Sequence, residues 1–116
     1  VAGFRPKLLA RPDSETGRAL AAMMLGNDPT GMANALAAMQ GRTDTTAALP
    51  AFALPALVVV GEFDTLTPPA CSRAMAERIP GARVEILPGA GHVSNLEAPD
   101  AFDAALTGFL SVAAPR

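Results

Sequence analysis

A chain of 116 residues with a formal net charge of −2 holds at most one small domain, about half of what a wide parallel sheet covered on both faces requires. That mild acidity and the absence of a Lys/Arg cluster weigh against nucleic acid and anionic membranes as partners, while one cysteine, Cys71, makes neither an internal disulfide nor a zinc site. Half of the residues are apolar and 17% are charged, a rich apolar share for so short a chain, and it predicts surface that expects a covering partner.

No apolar run approaches the roughly 18 residues of a membrane-spanning helix. The start, Val1-Ala2-Gly3-Phe4-Arg5, carries neither an initiating methionine nor the core of a signal peptide. The expectation is a segment lying inside a larger product, in a reducing, cytoplasmic setting.

Residues 1 to about 48 have the spacing of a helical pair. After the start signal Asp13-Ser14, Leu20, Met24 and Leu25 recur at helical intervals until Asn27-Asp28-Pro29 breaks the chain. Asp28 and Pro29 then open a second helix, in which Met32, Leu36 and Met39 share a face and Gly41 ends the run. The Pro-flanked stretch Leu49 to Pro55 joins this part to a second one, residues 49–116, which alternates strand, loop and helix.

The second part opens on Ala56-Leu57-Val58-Val59-Val60, a continuous apolar run of the kind a parallel strand shows when both of its faces are buried. A helix begins at Pro68 or Pro69, with Cys71, Met75 and Ile79 as its expected buried stripe, and stops at Pro80-Gly81. Arg83-Val84-Glu85-Ile86-Leu87 supplies a second strand, and a last helix from about Pro99 to Leu110 is expected to bury Phe102, Leu106, Phe109 and Leu110. Strand, helix and strand in that order make a βαβ unit with parallel strands and a right-handed crossover.

Ligands of such sheets bind beyond the carboxyl ends of the strands, where the loops converge. Two loops end there: Gly61 to Pro69, with Asp64 four residues past its strand, and Pro88-Gly89-Ala90-Gly91-His92, with His92 five residues past its own. Neighbouring strands lie about 4.8 Å apart, so the two side chains can meet over one edge. A carboxylate that holds an imidazole in one tautomer, and an imidazole that accepts a nucleophile's proton, form the acid and base of a catalytic triad. Taken singly, a loop histidine is commonly a solvated turn residue and a loop aspartate commonly satisfies nearby backbone N–H groups; it is their pairing that carries the catalytic reading.

Other candidates read as structural. Glu97 and Asp100 sit at the start of the last helix, where negative charge complements the dipole. Glu62 is either a helper or a solvated acid. None of Ser14, Ser72, Ser94 and Ser111 stands in the G-x-S-x-G pattern of a nucleophile elbow, and Cys71 is expected in the core as an inert thiol.

The run P-A-L-V-V-V-G-E-F-D-T-L-T-P-P, then I-P-G-A-R-V-E-I-L-P-G-A-G-H-V-S-N-L-E-A-P-D-A-F and a closing F-L, resembles the C-terminal segment of the α/β-hydrolase superfamily. Upstream, G-F-R and M-M-L-G-N-D-P-T-G-M are similar to the end of the helical lid in the branch of the 3-oxoadipate enol-lactonases. The resemblance implies an α/β fold, Asp64 as the triad acid, His92 as the base, and residues 1 to about 48 as a partial lid over a small ester or enol-lactone, with no cofactor and no metal. A cofactor-free haloperoxidase or a C–C bond hydrolase would use the same acid and base.

Set against that family, the first six strands, the loop giving half of the oxyanion hole, and the nucleophile with the N–H that completes the hole are missing from this sequence. The expectation is a piece that is inactive alone and that pairs with its missing half, or self-associates through the open edge of its first strand. The rival from another class is a non-catalytic binding or assembly module on the same scaffold.

Overall fold

The computed structural model describes residues 5–113; Gly3 and Phe4 of the upstream motif lie outside the described residues. Two strands, β1 (Leu57–Gly61) and β2 (Arg83–Leu87), pair in parallel, with Leu57 opposite Arg83 and Gly61 opposite Leu87. The β-branched run of β1 favours extended backbone. Pro69 at the first turn starts the crossover helix α4 (Pro69–Arg78) because its missing N–H costs nothing there. Gly81, at φ 72°, makes the turn that sends the chain back into β2.

The two helices that cover the sheet, α4 and the terminal α6 (Pro99–Ala113), each contact both strands. Val84 shares a depression with Ala76 and Glu77 of α4, whereas its neighbour Arg83 shares one with Phe109 and Val112 of α6. Successive residues of a strand point to opposite faces, so α4 and α6 lie on opposite sides of the sheet. A short helix, α5 (Ser94–Glu97), separates the end of β2 from α6.

The N-terminal part holds α1 (Arg5–Leu8), α2 (Glu15–Leu25) and α3 (Pro29–Gln40), followed by a 3-10 turn over Thr46–Ala51. The start signals act as the sequence suggests. The Ser14 Oγ accepts from the Gly17 N–H at 3.1 Å, and the Asp28 Oδ2 accepts from the Gly31 N–H at 2.7 Å. Leu8, Leu9 and Leu20 form a small buried cluster with Met24 and Val93 packed on it. Among the described residues no helix is long and apolar enough to cross a membrane.

Several burial expectations are corrected. In α4 the buried residues are Ser72 and Ala76, one position past the expected Cys71 and Met75, so Cys71 is exposed and Met75 is 42% exposed; Ile79, just beyond the helix, is buried as expected. Cys71 and Met75 line an open depression of about 430 Å³ with Thr45, Thr46, Leu49 and Arg78 that contains neither Asp64 nor His92. The strand β1 is only half-buried over Leu57, Val58 and Val59. In α6 no residue is buried, and Leu106 and Leu110 stand open; in α3, Leu36 and Met39 do the same.

The exposure along β1 and α6 has one physical cause: two strands and two helices leave these apolar faces uncovered. The accessible surface is 7896 Å², against about 5,900 Å² for a compact monomer of this mass. The radius of gyration is 16.0 Å, against about 13 Å.

Candidate active site

Beyond the strands the two loops stay zipped together. The Glu62 N–H donates to the Leu87 carbonyl at 2.9 Å, and the Phe63 N–H to the Ala90 carbonyl at 2.8 Å. Gly61 permits this approach, since a Cβ there would collide with the carbonyl groups of Ala90 and Gly91. The register of β1 against β2 thereby carries Asp64 and His92 to one rim, and the imidazole Nδ1 lies 2.9 Å from the Asp64 Oδ2.

Asp64 is 5% exposed and its carboxylate is saturated by four donors. Oδ1 accepts from the Leu66 and Thr67 N–H groups, each at 2.9 Å, while Oδ2 accepts from the Thr67 hydroxyl at 2.8 Å and from His92. Burial is the largest single influence on this carboxyl and pushes its pKa up. The Thr67 N–H, the His92 side chain, the Thr67 hydroxyl and the Leu66 N–H together outweigh it and hold the pKa below the ordinary aspartate value. An ionised carboxylate only accepts, so the proton facing it sits on Nδ1 and leaves the Nε2 lone pair free. The His92 side chain is 36% exposed and that of Asp64 4%, so the imidazole is reachable from solvent while the carboxylate is shielded. Among the described residues nothing hydrogen-bonds to Nε2.

Thr67 lies in the motif between Asp64 and Pro68. Its hydroxyl proton goes to Asp64, and its oxygen lies 3.3 Å from His92 Nδ1, so it braces the pair from the side. The Asp-x-x-Thr spacing ahead of Pro68-Pro69 is its signal, a side-chain-to-backbone turn before a helix.

Two of the other acids, Glu62 and Glu97, fall differently from the reading of the sequence. Glu62 does not reach His92; its Oε2 accepts from the Gly89 N–H at 2.9 Å and ties the far end of the histidine loop. Glu97 ends α5 rather than starting the last helix. Its Oε2 accepts from the Gly91 N–H at 2.7 Å and its Oε1 from the Ala10 N–H at 2.8 Å and the Arg11 N–H at 3.3 Å. Asp100 is exposed in the first turn of α6, as expected of an acid near a helix start.

The described serines are engaged elsewhere or unpaired with the imidazole. Ser14 caps α2, Ser111 donates to the Gly108 carbonyl, and Ser72 and Ser94 are buried in α4 and α5. Among the described residues no group of three His, Cys, Asp or Glu side chains is placed to hold a metal.

The chain is similar in sequence and in structure to known proteins. The putative carbamate hydrolase RutD of Caulobacter sp. (strain K31) is 47% identical over 57 residues, which is 49% of this chain and 21% of that protein. A thermophilic esterase from Thermogutta terrifontis superposes with a TM-score of 0.91 at 34% identity, over 97% of this chain and 43% of its own. The enol-lactonase from Burkholderia xenovorans LB400 superposes at 0.82 with 31% identity, over 95% and 43%. The chain thus spans about a fifth of the curated relative and less than half of each solved chain. The profile of the Alpha/beta hydrolase family matches residues 2–105, and with the parallel βαβ core and the likeness to the esterase and the enol-lactonase this establishes that the chain belongs to the alpha/beta hydrolase family.

Proposed function

We propose that this chain supplies the acid and the base of a serine-type hydrolase acting on a small ester or enol-lactone, and that the nucleophile is contributed by polypeptide outside the described residues. Asp64 orients the imidazole and stabilises it once protonated. His92 Nε2 takes the proton of the attacking hydroxyl and later returns it to the leaving group. The observation that carries the reading is the 2.9 Å contact between Asp64 and His92 Nδ1, which directs the lone pair of Nε2 outward on a half-open ring. The likeness to the esterase and the enol-lactonase supports the substrate class.

In this reading the residues up to about 48 form part of a lid, and residues 49–116 part of the catalytic core. The apolar edge of β1 and the open face of α6 are covered by the remainder of the hydrolase core. The excess of accessible surface over that of a compact monomer supports this. An exposed free thiol at Cys71 suits a reducing, cytoplasmic compartment. Alone, the chain hydrolyses nothing. The test is ester hydrolysis by the 116-residue chain, by the full-length enzyme, and by the full-length His92→Ala variant. Activity in the full-length enzyme alone supports the reading; undiminished activity in His92→Ala removes it, and a full-length protein without hydrolysis favours the non-catalytic module.

A further inference from the structure

Glu97 links the histidine loop, six residues before it, to a stretch of chain that is remote in sequence. One carboxylate oxygen holds Gly91, the residue before His92, and the other holds Ala10 and Arg11, which lead into α2. The same N-terminal segment grips the histidine loop from its backbone side, because the Leu8 carbonyl accepts from the His92 N–H at 2.8 Å and from the Val93 N–H at 3.3 Å. The fit is close. A Cβ on Gly91 would lie 2.7 Å from the Ala10 nitrogen, 2.9 Å from the Glu97 Oε2 and 2.9 Å from the Leu9 carbonyl carbon. Above the seam Leu8 and Leu9 pack on Leu20 of α2, with Met24 and Val93 against them.

We propose that Glu97 is a positioning residue that fixes the histidine loop to the segment Lys7–Arg11, so that the placement of His92 depends on the docking of that segment and of the helix α2 it leads into. This rests on the reading of His92 as the base. The chain between β2 and α6 contains only the four-residue helix α5, too short to hold its own shape. Its outer end is tied through Glu62 to Gly89, and its inner end, next to the imidazole, through Glu97. Both oxygens of Glu97 are needed because donors approach from both sides. A glutamine of the same size offers one acceptor oxygen and turns its NH2 group toward one of the backbone N–H groups. Loss of that tie frees Gly91 and lets the ring drift on the scale of 1 Å, a misplacement that costs roughly a hundredfold in rate.

The experiment compares Glu97→Gln, with Asp100→Asn as the control on an exposed acid, in the full-length enzyme. The readouts are kcat and KM on p-nitrophenyl acetate, thermal midpoint, and amide exchange at Ala10, Gly91 and the strand residues. The expected result for Glu97→Gln is a fall in kcat of roughly ten- to a hundredfold, with KM and the thermal midpoint little changed and with faster exchange at Ala10 and Gly91 but not in β1 or β2. A kcat within about twofold of the parent, or a loss that follows the fraction unfolded, overturns the proposal. Should Glu97→Gln not fold, Glu97→Asp, which keeps the charge but is one methylene short of the bridge, is read by the same criteria. A His92→Ala variant that retains full activity refutes the base assignment instead, and the exchange of Gly91 and Ala10 still decides whether the tie exists.

Discussion

Replacing Asp64 by Asn tests the orienting role at nearly constant volume. Four donors converge on the carboxylate: two backbone N–H groups at Oδ1, and the Thr67 hydroxyl and the His92 Nδ1–H at Oδ2. Asparagine has one acceptor oxygen. If that oxygen keeps the Leu66 and Thr67 N–H groups, the NH2 group faces His92, and the imidazole answers by presenting a bare Nδ1 and carrying its proton on Nε2. The lone pair needed for the nucleophile's proton is then gone. A wrong tautomer in such a triad costs about 10⁴ in kcat, or about 5.4 kcal/mol at 1.36 kcal/mol per tenfold. The assay is the initial rate of p-nitrophenyl acetate hydrolysis by the full-length enzyme near neutral pH, with circular dichroism to confirm folding. A loss below about tenfold in a folded variant refutes the reasoning, because the carboxylate would then not be setting the tautomer.

Gly91→Ala places a methyl group against the Ala10 nitrogen and the Glu97 carboxylate and is expected to destabilise by about 1–3 kcal/mol, measured by urea unfolding; an unchanged midpoint counts against the close seam. Asp64, held below the ordinary aspartate pKa, adds stability that is in place above that ordinary value and is lost as pH falls through the lowered one. Thr67→Val removes one of its four donors and shifts the acid unfolding midpoint to higher pH; a midpoint that stays put shows that the hydroxyl is not bracing the carboxylate. Ser14→Ala removes the cap of α2, whose Leu20 is in the buried cluster, and lowers global stability by about 1 kcal/mol. Asp28→Ala, capping an α3 that buries nothing, frays that helix in amide exchange and leaves the global midpoint in place.

What the sequence disclosed, and what it did not, follows from where each signal is local. Helix starts at Ser14 and Asp28, the turn at Gly81 and the strand runs at Leu57 and Arg83 are dictated by neighbouring residues, and they stand where the pattern puts them. The contact between Asp64 and His92 was legible because two parallel strands of one βαβ unit bring their loops to a common rim. Burial was the weaker inference. Val58, Leu106 and Leu110 fit the apolar pattern of a covered face, but two strands and two helices do not cover them, so these residues stand half-open or exposed. The phase of α4 was missed because Cys71 and Met75 match the stripe by hydropathy as well as Ser72 and Ala76 match it by size. Glu97 escaped because its partners, Ala10 and Arg11, are 87 and 86 residues away, and no local spacing encodes a bond of that reach. The helices α1 and α5 are single turns without a periodic signal of their own.

The central claim concerns a single imidazole, and His92 is the one histidine of these 116 residues, so its ring nitrogens can be assigned without ambiguity once the 116-residue chain is labelled with ¹⁵N-histidine. Ring ¹⁵N shifts recorded at neutral pH report which nitrogen carries the proton. The account predicts a proton on Nδ1, held by Asp64, and an unprotonated Nε2. A ring protonated on Nε2, with Nδ1 bare, would contradict it.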